Sequence, residues 1–296
     1  MESKKLRVGF IGLGLMGRRM ADNIRKKKFP LVVYNRTPSK AQLLEKRSVK
    51  VAQTPAELAA QVDVVITMVT ASQNVEEVLF GENGVVYGGK EGLIVIDMST
   101  IGPTGAKRIG EKLSVYQMQF VDAPVTGSTP KAETGELTIF VGGEQKVYKK
   151  VEKILSAMGT NIHYVGPIGS GQAIKLINNH LIAVSIVSLA EGMLLADAMG
   201  ISRKKTAEIL QTVPAMSGMM NLKLPNFVTN SFPLLFSLAN MNKDLILALE
   251  EAEQGNKTLP LLENTVKLYR KAVRLNLAEE DMSAIIKIVE KGNSNY

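Results

Sequence analysis

A short apolar strand that runs straight into a glycine-rich turn constrains this chain more than any other feature. Residues 8–17 read Val-Gly-Phe-Ile-Gly-Leu-Gly-Leu-Met-Gly, which contains the spacing G-x-G-x-x-G. The first glycine can make a tight turn, the second lets a ligand approach the backbone, and the third lets the next helix pack close to the strand. The N-terminus of that helix favours phosphate. The alternative is that the glycines serve turns alone, but their place between a strand and a helix favours a dinucleotide site. Its predicted contacts are Gly12, Leu13, Gly14, Leu15, Met16 and Gly17.

The first half of the chain alternates between short apolar runs and helical patterns. The predicted strands are residues 8–11, 31–34, 64–68, 93–96, 119–121 and 137–141. The predicted helices between and after them are residues 16–27, 56–61, 102–112 and 144–158. Such alternation is typical of parallel strands joined by crossover helices. It predicts an α/β fold with an N-terminal Rossmann doubly wound sheet.

The second half is helical. One long, mainly apolar pattern runs from Gly171 to about Met199, and shorter amphipathic helices are predicted at 202–211, 240–253, 260–274 and 279–291. The run Gly-Pro-Ile-Gly-Ser-Gly at 166–171 breaks the pattern between the halves. We therefore predict a Rossmann domain over residues 1–168. Over residues 169–296 we predict an all-α C-terminal domain for substrate binding and oligomerisation, built on a long interdomain helix.

Composition narrows the function classes. The 296 residues include no cysteine and only two histidines, which argues against disulfides, thiolate chemistry and a metal site. The formal net charge is +8, but basic residues are scattered and aromatics make up only 5%. We expect no nucleic-acid partner, although a basic protein that binds nucleic acid through a Rossmann fold stays an alternative. No secretory signal or uninterrupted membrane span is evident, so we expect a cytoplasmic protein without a membrane partner.

The end of the second predicted strand indicates which nicotinamide cofactor is bound. An acidic residue there would bind the ribose 2′-hydroxyl of NAD. This chain has Asn35, Arg36 and Thr37 instead. Arg36 can pair with a 2′-phosphate, and its two neighbours can hydrogen-bond to it. The sequence favours NADP over NAD; the alternative is that Arg36 is an ordinary surface cation.

Three polar residues share one face at the start of the long helix. Lys175, Asn178 and Asn179 are spaced i, i+3 and i+4 within an otherwise apolar stretch. Buried polar groups need partners, and a substrate is one candidate. Apolar surroundings would lower the pKa of the lysine and suit it to proton transfer. An interdomain hydrogen-bond network without chemistry is the alternative.

Four ordered motifs resemble those of the β-hydroxyacid dehydrogenase family, which includes 3-hydroxyisobutyrate dehydrogenases and glyoxylate/succinic semialdehyde reductases. They are the glycine turn and the segments at 97–100, 122–128 and 169–179, and Asn242-Lys243-Asp244 matches a later Lys-Asp pair. The resemblance implies that Thr100 contacts the cofactor and that Lys175 is the general acid/base. It also implies that Lys243 reaches both cofactor and substrate. Met68 and Val69, where the strand at 64–68 ends, are further predicted cofactor contacts.

The substrate loop at Thr126, Gly127 and Ser128 is expected to grip a carboxylate, with Asn178 and Asn179 helping to hold the substrate. The family's 3-hydroxyisobutyrate enzymes often read Ser-Gly-Gly here, whereas Gly127-Ser128 followed by Pro130 resembles the reductase branch. Candidate substrates are therefore 3-hydroxyisobutyrate, L-serine, 3-hydroxypropionate or 4-hydroxybutyrate, or glyoxylate or succinic semialdehyde in the reducing direction. A cofactor-binding scaffold without catalysis is the non-enzyme alternative. The long apolar helical half predicts a homodimer or homotetramer.

Overall fold

The protein, a computed structural model in which residues 5–292 are described, divides into two compact units. The division falls between Lys175 and Leu176, inside the helix Ser170–Ala198. The predicted boundary between residues 168 and 169 lies just before that helix begins. The first unit therefore includes the first turns of the long helix, together with Lys175.

The first unit is built on one sheet whose main part is parallel. Six strands lie in the order β3-β2-β1-β4-β5-β6. Their bounds are β1 (Val8–Ile11), β2 (Leu31–Tyr34), β3 (Lys50–Val51), β4 (Val64–Thr67), β5 (Ile94–Asp97) and β6 (Gln119–Asp122). β1, β4 and β5 are buried along their whole length, as parallel strands covered on both faces must be. The confirmed Rossmann sheet places the carboxyl ends of these strands along one edge.

Three further strands extend the sheet beyond β6. They are β7 (Val125–Thr126), β8 (Leu137–Gly143) and β9 (Gly159–Gly166). β8 runs antiparallel to β6 and β7, and β9 pairs parallel with β8. Of these, only β8 is predicted from sequence, because β7 has two residues and five of the eight residues of β9 are exposed.

Helices connect the strands and cover the sheet. They are α1 (Gly17–Lys26), α2 (Gln42–Glu45), α3 (Pro55–Ala59), α4 (Ser72–Phe80), α5 (Pro103–Val115), α6 (Ser128–Thr134) and α7 (Gln145–Leu155). Two separate apolar clusters form, and alternate residues of the central strands belong to one or the other. In β4, for example, Val64 and Ile66 join one cluster while Val65 joins the second. This is the two-sided core of a doubly wound sheet.

The second unit is helical, as predicted. It contains α8 (Ser170–Ala198) from Leu176 onward, followed by α9 (Arg203–Leu210), α10 (Gly218–Thr229), α11 (Leu238–Gln254), α12 (Pro260–Arg274) and α13 (Ile286–Gly292). Its core includes the fully buried Phe227 and Tyr269. A buried ion pair joins Lys223 Nζ to Asp281 at 2.7 Å.

One helix prediction for this unit needs correction, and one helix was missed. The helix predicted over 279–291 is shorter, because the side chain of Asp281 caps a 3₁₀ turn, Met282–Ile285, before α13 begins. α10 was not predicted, since Pro225 lies inside it.

α8 is long and apolar enough, by length and composition alone, to cross a membrane. Core helices of soluble proteins share both properties.

Candidate active site

The three glycines of the turn after β1 meet different surroundings. A Cβ at Gly12, where φ is +99°, would lie 2.2 Å from the carbonyl oxygen of Met68. One at Gly17 would lie 2.0 Å from the carbonyl oxygen of Gly12. A Cβ at Gly14 would meet no atom within 4 Å. The fold itself therefore requires glycine at positions 12 and 17, whereas the space beside Gly14 is open to a ligand.

This turn fits a dinucleotide pyrophosphate. Gly14 and Leu15 are exposed next to the N-terminus of α1, whose first turn contains no acidic residue. The helix dipole and unpaired N–H groups at such a terminus favour an anion. Leu13 and Met16 belong to the same turn, but the side chain of Leu13 is buried. The residues present therefore fit the phosphates of a nicotinamide cofactor.

Asn35 and Arg36, which follow β2, have different surroundings. Asn35 accepts a hydrogen bond from the Leu13 N–H at 2.8 Å through Oδ1, and its Nδ2 donates to the Thr37 carbonyl at 2.9 Å. Asn35 therefore holds the glycine turn in place, a role that the sequence did not reveal. The Arg36 side chain is 79% exposed, and the nearest carboxylate, that of Glu77, lies 3.9 Å away. Arg36 is thus accessible at the position expected to discriminate between the cofactors.

A buried polar network joins the ends of β4 and β5. The Thr67 hydroxyl donates to Asp97 Oδ1 at 2.7 Å, and Ser99 Oγ accepts the Val69 N–H at 3.0 Å. Burial raises the pKa of Asp97 to about 6, although hydrogen bonds from Thr67 and Ser99 oppose this rise. The network fixes Val69, and Met68 donates its N–H to the Ile11 carbonyl at 2.9 Å. These two predicted cofactor contacts therefore lie beside the strand that leads into the glycine turn.

The predicted substrate loop has an unusual backbone. Gly127 has φ +132° and Ser128 has φ +59°, a left-handed conformation that costs a residue with a side chain about 1–2 kcal/mol. Thr126 ends β7, and Ser128 begins α6. Such strain is retained when the surrounding structure or a ligand requires it.

The start of α8 is fixed by Asp122, the last residue of β6. Its Oδ1 accepts the Gly169 N–H at 2.7 Å and its Oδ2 accepts the Gln172 N–H at 2.9 Å. Burial raises the pKa of Asp122, and these backbone donors oppose the rise. Lys175 follows one turn later on the same helix, with 7% of its surface exposed.

Gln172 ties the start of α8 to the segment after β5. Its Nε2 donates to the Ser99 carbonyl at 2.8 Å, and its Oε1 accepts the N–H groups of Ile101 at 3.0 Å and Gly102 at 3.2 Å. Thr100 lies within this held segment. Neither Gln172 nor Asp122 was given a role from sequence, although both lie within the motif segments at 169–179 and 122–128.

In the second unit, one carboxylate gathers three of the predicted site residues. Asn179 Nδ2 donates to Asp244 Oδ2 at 2.6 Å, and Lys243 Nζ lies 2.7 Å from Asp244 Oδ1. Asn178 Nδ2 in turn donates to Asn179 Oδ1 at 3.0 Å. Asp244 was seen in the sequence only as part of a Lys-Asp pair. Its contacts with Asn179 and Lys243 place the buried Asp244 at the centre of this cluster.

No group of metal-binding side chains occurs within residues 5–292. The Rossmann sheet and the open glycine turn together define the class of dinucleotide-binding proteins.

The comparisons with known proteins agree with this class. Residues 7–166 match the NAD-binding domain of 6-phosphogluconate dehydrogenase, and residues 169–289 match a domain described as NAD-binding in NADP-dependent 3-hydroxyisobutyrate dehydrogenase. The chain belongs to the β-hydroxyacid dehydrogenase family and is an NAD(P)-dependent enzyme acting on CH–OH donors.

Three relatives illustrate the range of the family. The chain is 32% identical to 2-(hydroxymethyl)glutarate dehydrogenase of Eubacterium barkeri, over 97% of this chain and 96% of that one. It is 31% identical to glyoxylate/succinic semialdehyde reductase 2 of Arabidopsis thaliana, over 97% and 80%. A solved structure of Mycobacterium tuberculosis 3-hydroxyisobutyrate dehydrogenase with L-serine is 28% identical, covers 97% and 99%, and has a TM-score of 0.88.

Proposed function

We propose that this enzyme is an NADP-dependent dehydrogenase of small 3-hydroxy acids, with Lys175 as the general acid/base. The observation that carries the proposal is the placement of Lys175. It is a buried lysine one turn into a helix whose start is held by the strand-end residue Asp122 and by Gln172. Such anchoring gives a proton-transfer group the fixed position that catalysis requires.

The nicotinamide, when bound, accepts or supplies the hydride. During oxidation Lys175 takes the hydroxyl proton as the carbon–hydrogen bond breaks, and during reduction the protonated lysine returns it to the carbonyl oxygen. The backbone and hydroxyl groups of Thr126, Gly127 and Ser128 hold the substrate carboxylate. Asn178, Asn179 and Lys243 orient the substrate, and Lys243 also reaches the cofactor. Thr100, Met68 and Val69 line the cofactor site.

The preference for NADP rests on Arg36. Its guanidinium is exposed where β2 ends, and no acid occupies residues 35–37 to bind a 2′-hydroxyl. Charge-assisted bonds from this group would stabilise a 2′-phosphate. Asn35 is engaged by the glycine turn through its side-chain oxygen, so we assign the phosphate chiefly to Arg36, with Thr37 beside it.

The second candidate is an NADPH-dependent reductase of glyoxylate or succinic semialdehyde. Two observations favour it: Ser128 stands where the 3-hydroxyisobutyrate enzymes often have glycine, and one relative is named for those substrates. The test is a panel of both oxidised and reduced substrates, assayed with each cofactor through the absorbance of the reduced nicotinamide. We expect a 3-hydroxy acid and NADP to give the highest kcat/KM. A semialdehyde with NADPH would support the second candidate, and no turnover of any hydroxy or aldehyde acid would refute both.

A further inference from the structure

The amide of Gln172 is the direct link between the helix that carries Lys175 and the segment that carries Thr100. Gln172 is fully buried, and its side chain makes three hydrogen bonds of 2.8–3.2 Å to backbone groups on both sides of Thr100. Because an amide both donates and accepts, one side chain satisfies a carbonyl and two N–H groups at once. The segment is thereby fixed against α8.

Backbone geometry makes this segment depend on such an outside partner. Gly102 has φ +76° and precedes α5, so its N–H and that of Ile101 lie before the helical hydrogen bonds begin. Without Gln172 both buried N–H groups would lose their acceptor, which costs about 1–3 kcal/mol for each unsatisfied group. The segment would then rearrange to satisfy them.

We propose that Gln172 is a positioning residue, which sets the distance between the proton-transfer group on α8 and the cofactor contact at Thr100. The inference rests on the proposed function of Lys175 and Thr100. Gln172 precedes Lys175 by three residues, which is nearly one helical turn, so a change at its side chain is transmitted along a rigid element. Asp122 fixes the same turn through backbone N–H groups, whereas the Gln172 side chain bonds the segment after β5.

The first test replaces Gln172 by Met, which has a similar length but cannot make these hydrogen bonds. We expect kcat to fall by roughly 10–100-fold, since misplacement by about 1 Å can cost 10²-fold, while cofactor affinity changes only a few-fold. The isotope effect on kcat with deuterated reduced cofactor should rise, because hydride transfer becomes more rate-limiting. Gln211→Met, at an exposed glutamine, is the matched control.

The second test uses Gln172→Glu, which keeps the shape of glutamine. When protonated, the new carboxyl can donate to the Ser99 carbonyl, and when ionised it cannot. We therefore expect kcat to be restored towards the wild-type value at low pH and to fall as pH rises, with no matching step in Gln172→Met. Asp97, Asp122 and Lys175 are also present in the wild type, so the wild-type pH profile is the reference for both variants.

A positioning role is refuted if Gln172→Met folds and keeps both kcat and the isotope effect within twofold of wild type. It is also refuted if Gln172→Glu shows no additional pH step. Should the Met variant not fold, the Glu variant decides alone, because it can be assayed at the pH where its carboxyl is neutral. A wild-type protein without any dehydrogenase activity would refute the proposed function instead, so the two failures are distinguishable.

Discussion

The N-termini of α1 and α8 differ in whether a protein carboxylate accepts their backbone N–H groups. Both helices begin beside the sheet, and both present backbone N–H groups that favour a negative charge. At α1 the first turn has no acid and Gly14 faces open space. At α8 the carboxylate of Asp122 already accepts the N–H groups of Gly169 and Gln172. A helix N-terminus with free N–H groups can bind phosphate, whereas one bonded to a protein carboxylate is held in a fixed position.

The comparison explains why sequence reasoning succeeded at one helix and fell short at the other. An open site must be formed by residues that follow one another, so its glycines are visible as a motif. The anchor of α8 joins Asp122 and Ser99 to positions about 50 and 73 residues further along the chain. Only the fold brings these groups together.

The largest effect is expected when a methyl group is added to Gly17 of the α1 turn, in contrast to Gly14. Gly17→Ala would place Cβ 2.0 Å from a backbone carbonyl oxygen, so we expect a loss of more than about 3 kcal/mol in unfolding free energy. Gly14→Ala meets no protein atom and should leave stability nearly unchanged, while weakening cofactor affinity by roughly 10-fold or more. Urea unfolding and cofactor titration check the pair. Equal loss of stability in both variants would contradict the assigned roles.

A second prediction concerns the pH dependence of stability that Asp97 produces at the end of β5. Burial raises the pKa of Asp97 from 3.8 to about 6, so folding favours its protonated form. Its contribution to stability is therefore full below the unfolded pKa and is lost as pH rises through about 6. The unfolding free energy of the wild type, measured relative to that of Asp97→Asn, should fall by up to about 3 kcal/mol between about pH 4 and pH 8. A difference that does not change with pH would show that Asp97 is ionised in the folded state.

The third prediction concerns the accessible guanidinium of Arg36, shortly after the end of β2. Arg36→Ala should weaken NADPH binding by more than about 1.5 kcal/mol, the lower end for a charged hydrogen bond, and leave NADH binding nearly unchanged. Fluorescence titration with both cofactors measures this, and Arg274→Ala, at an exposed arginine of the second unit, is the control. Equal losses for both cofactors would remove the proposed contact with the 2′-phosphate.

The smallest effect is expected at Ser128. Glycine would relieve its left-handed backbone, worth about 1–2 kcal/mol, but would add about 0.5–1 kcal/mol of unfolded-chain entropy. Ser128→Gly should therefore stabilise the protein by up to about 1.5 kcal/mol. If its hydroxyl holds the substrate, KM should rise at the same time. A variant that is less stable, with unchanged KM, would show that the serine serves the fold.

Strands and site residues could be predicted from the sequence where neighbouring residues carried the pattern. The buried strands β1, β4 and β5 are short apolar runs and were predicted within a residue or two. Polar residues such as Thr160, Asn161 and His163 interrupt β9, so no apolar run marked it. Lys175, Asn178 and Asn179 could be proposed from helical spacing. Asp244 is 65 residues away from Asn179 and became the centre of their network only through the fold.

We propose that α8 holds Lys175 as the group that transfers the substrate proton. Single-turnover hydride transfer by Lys175→Met tests this role, after cofactor affinity has been shown to stay within a few-fold of wild type. General acid–base catalysis contributes about 10²–10⁴-fold, so we predict that the rate falls at least about 100-fold. A variant that binds cofactor normally and transfers hydride at a near wild-type rate would contradict the account.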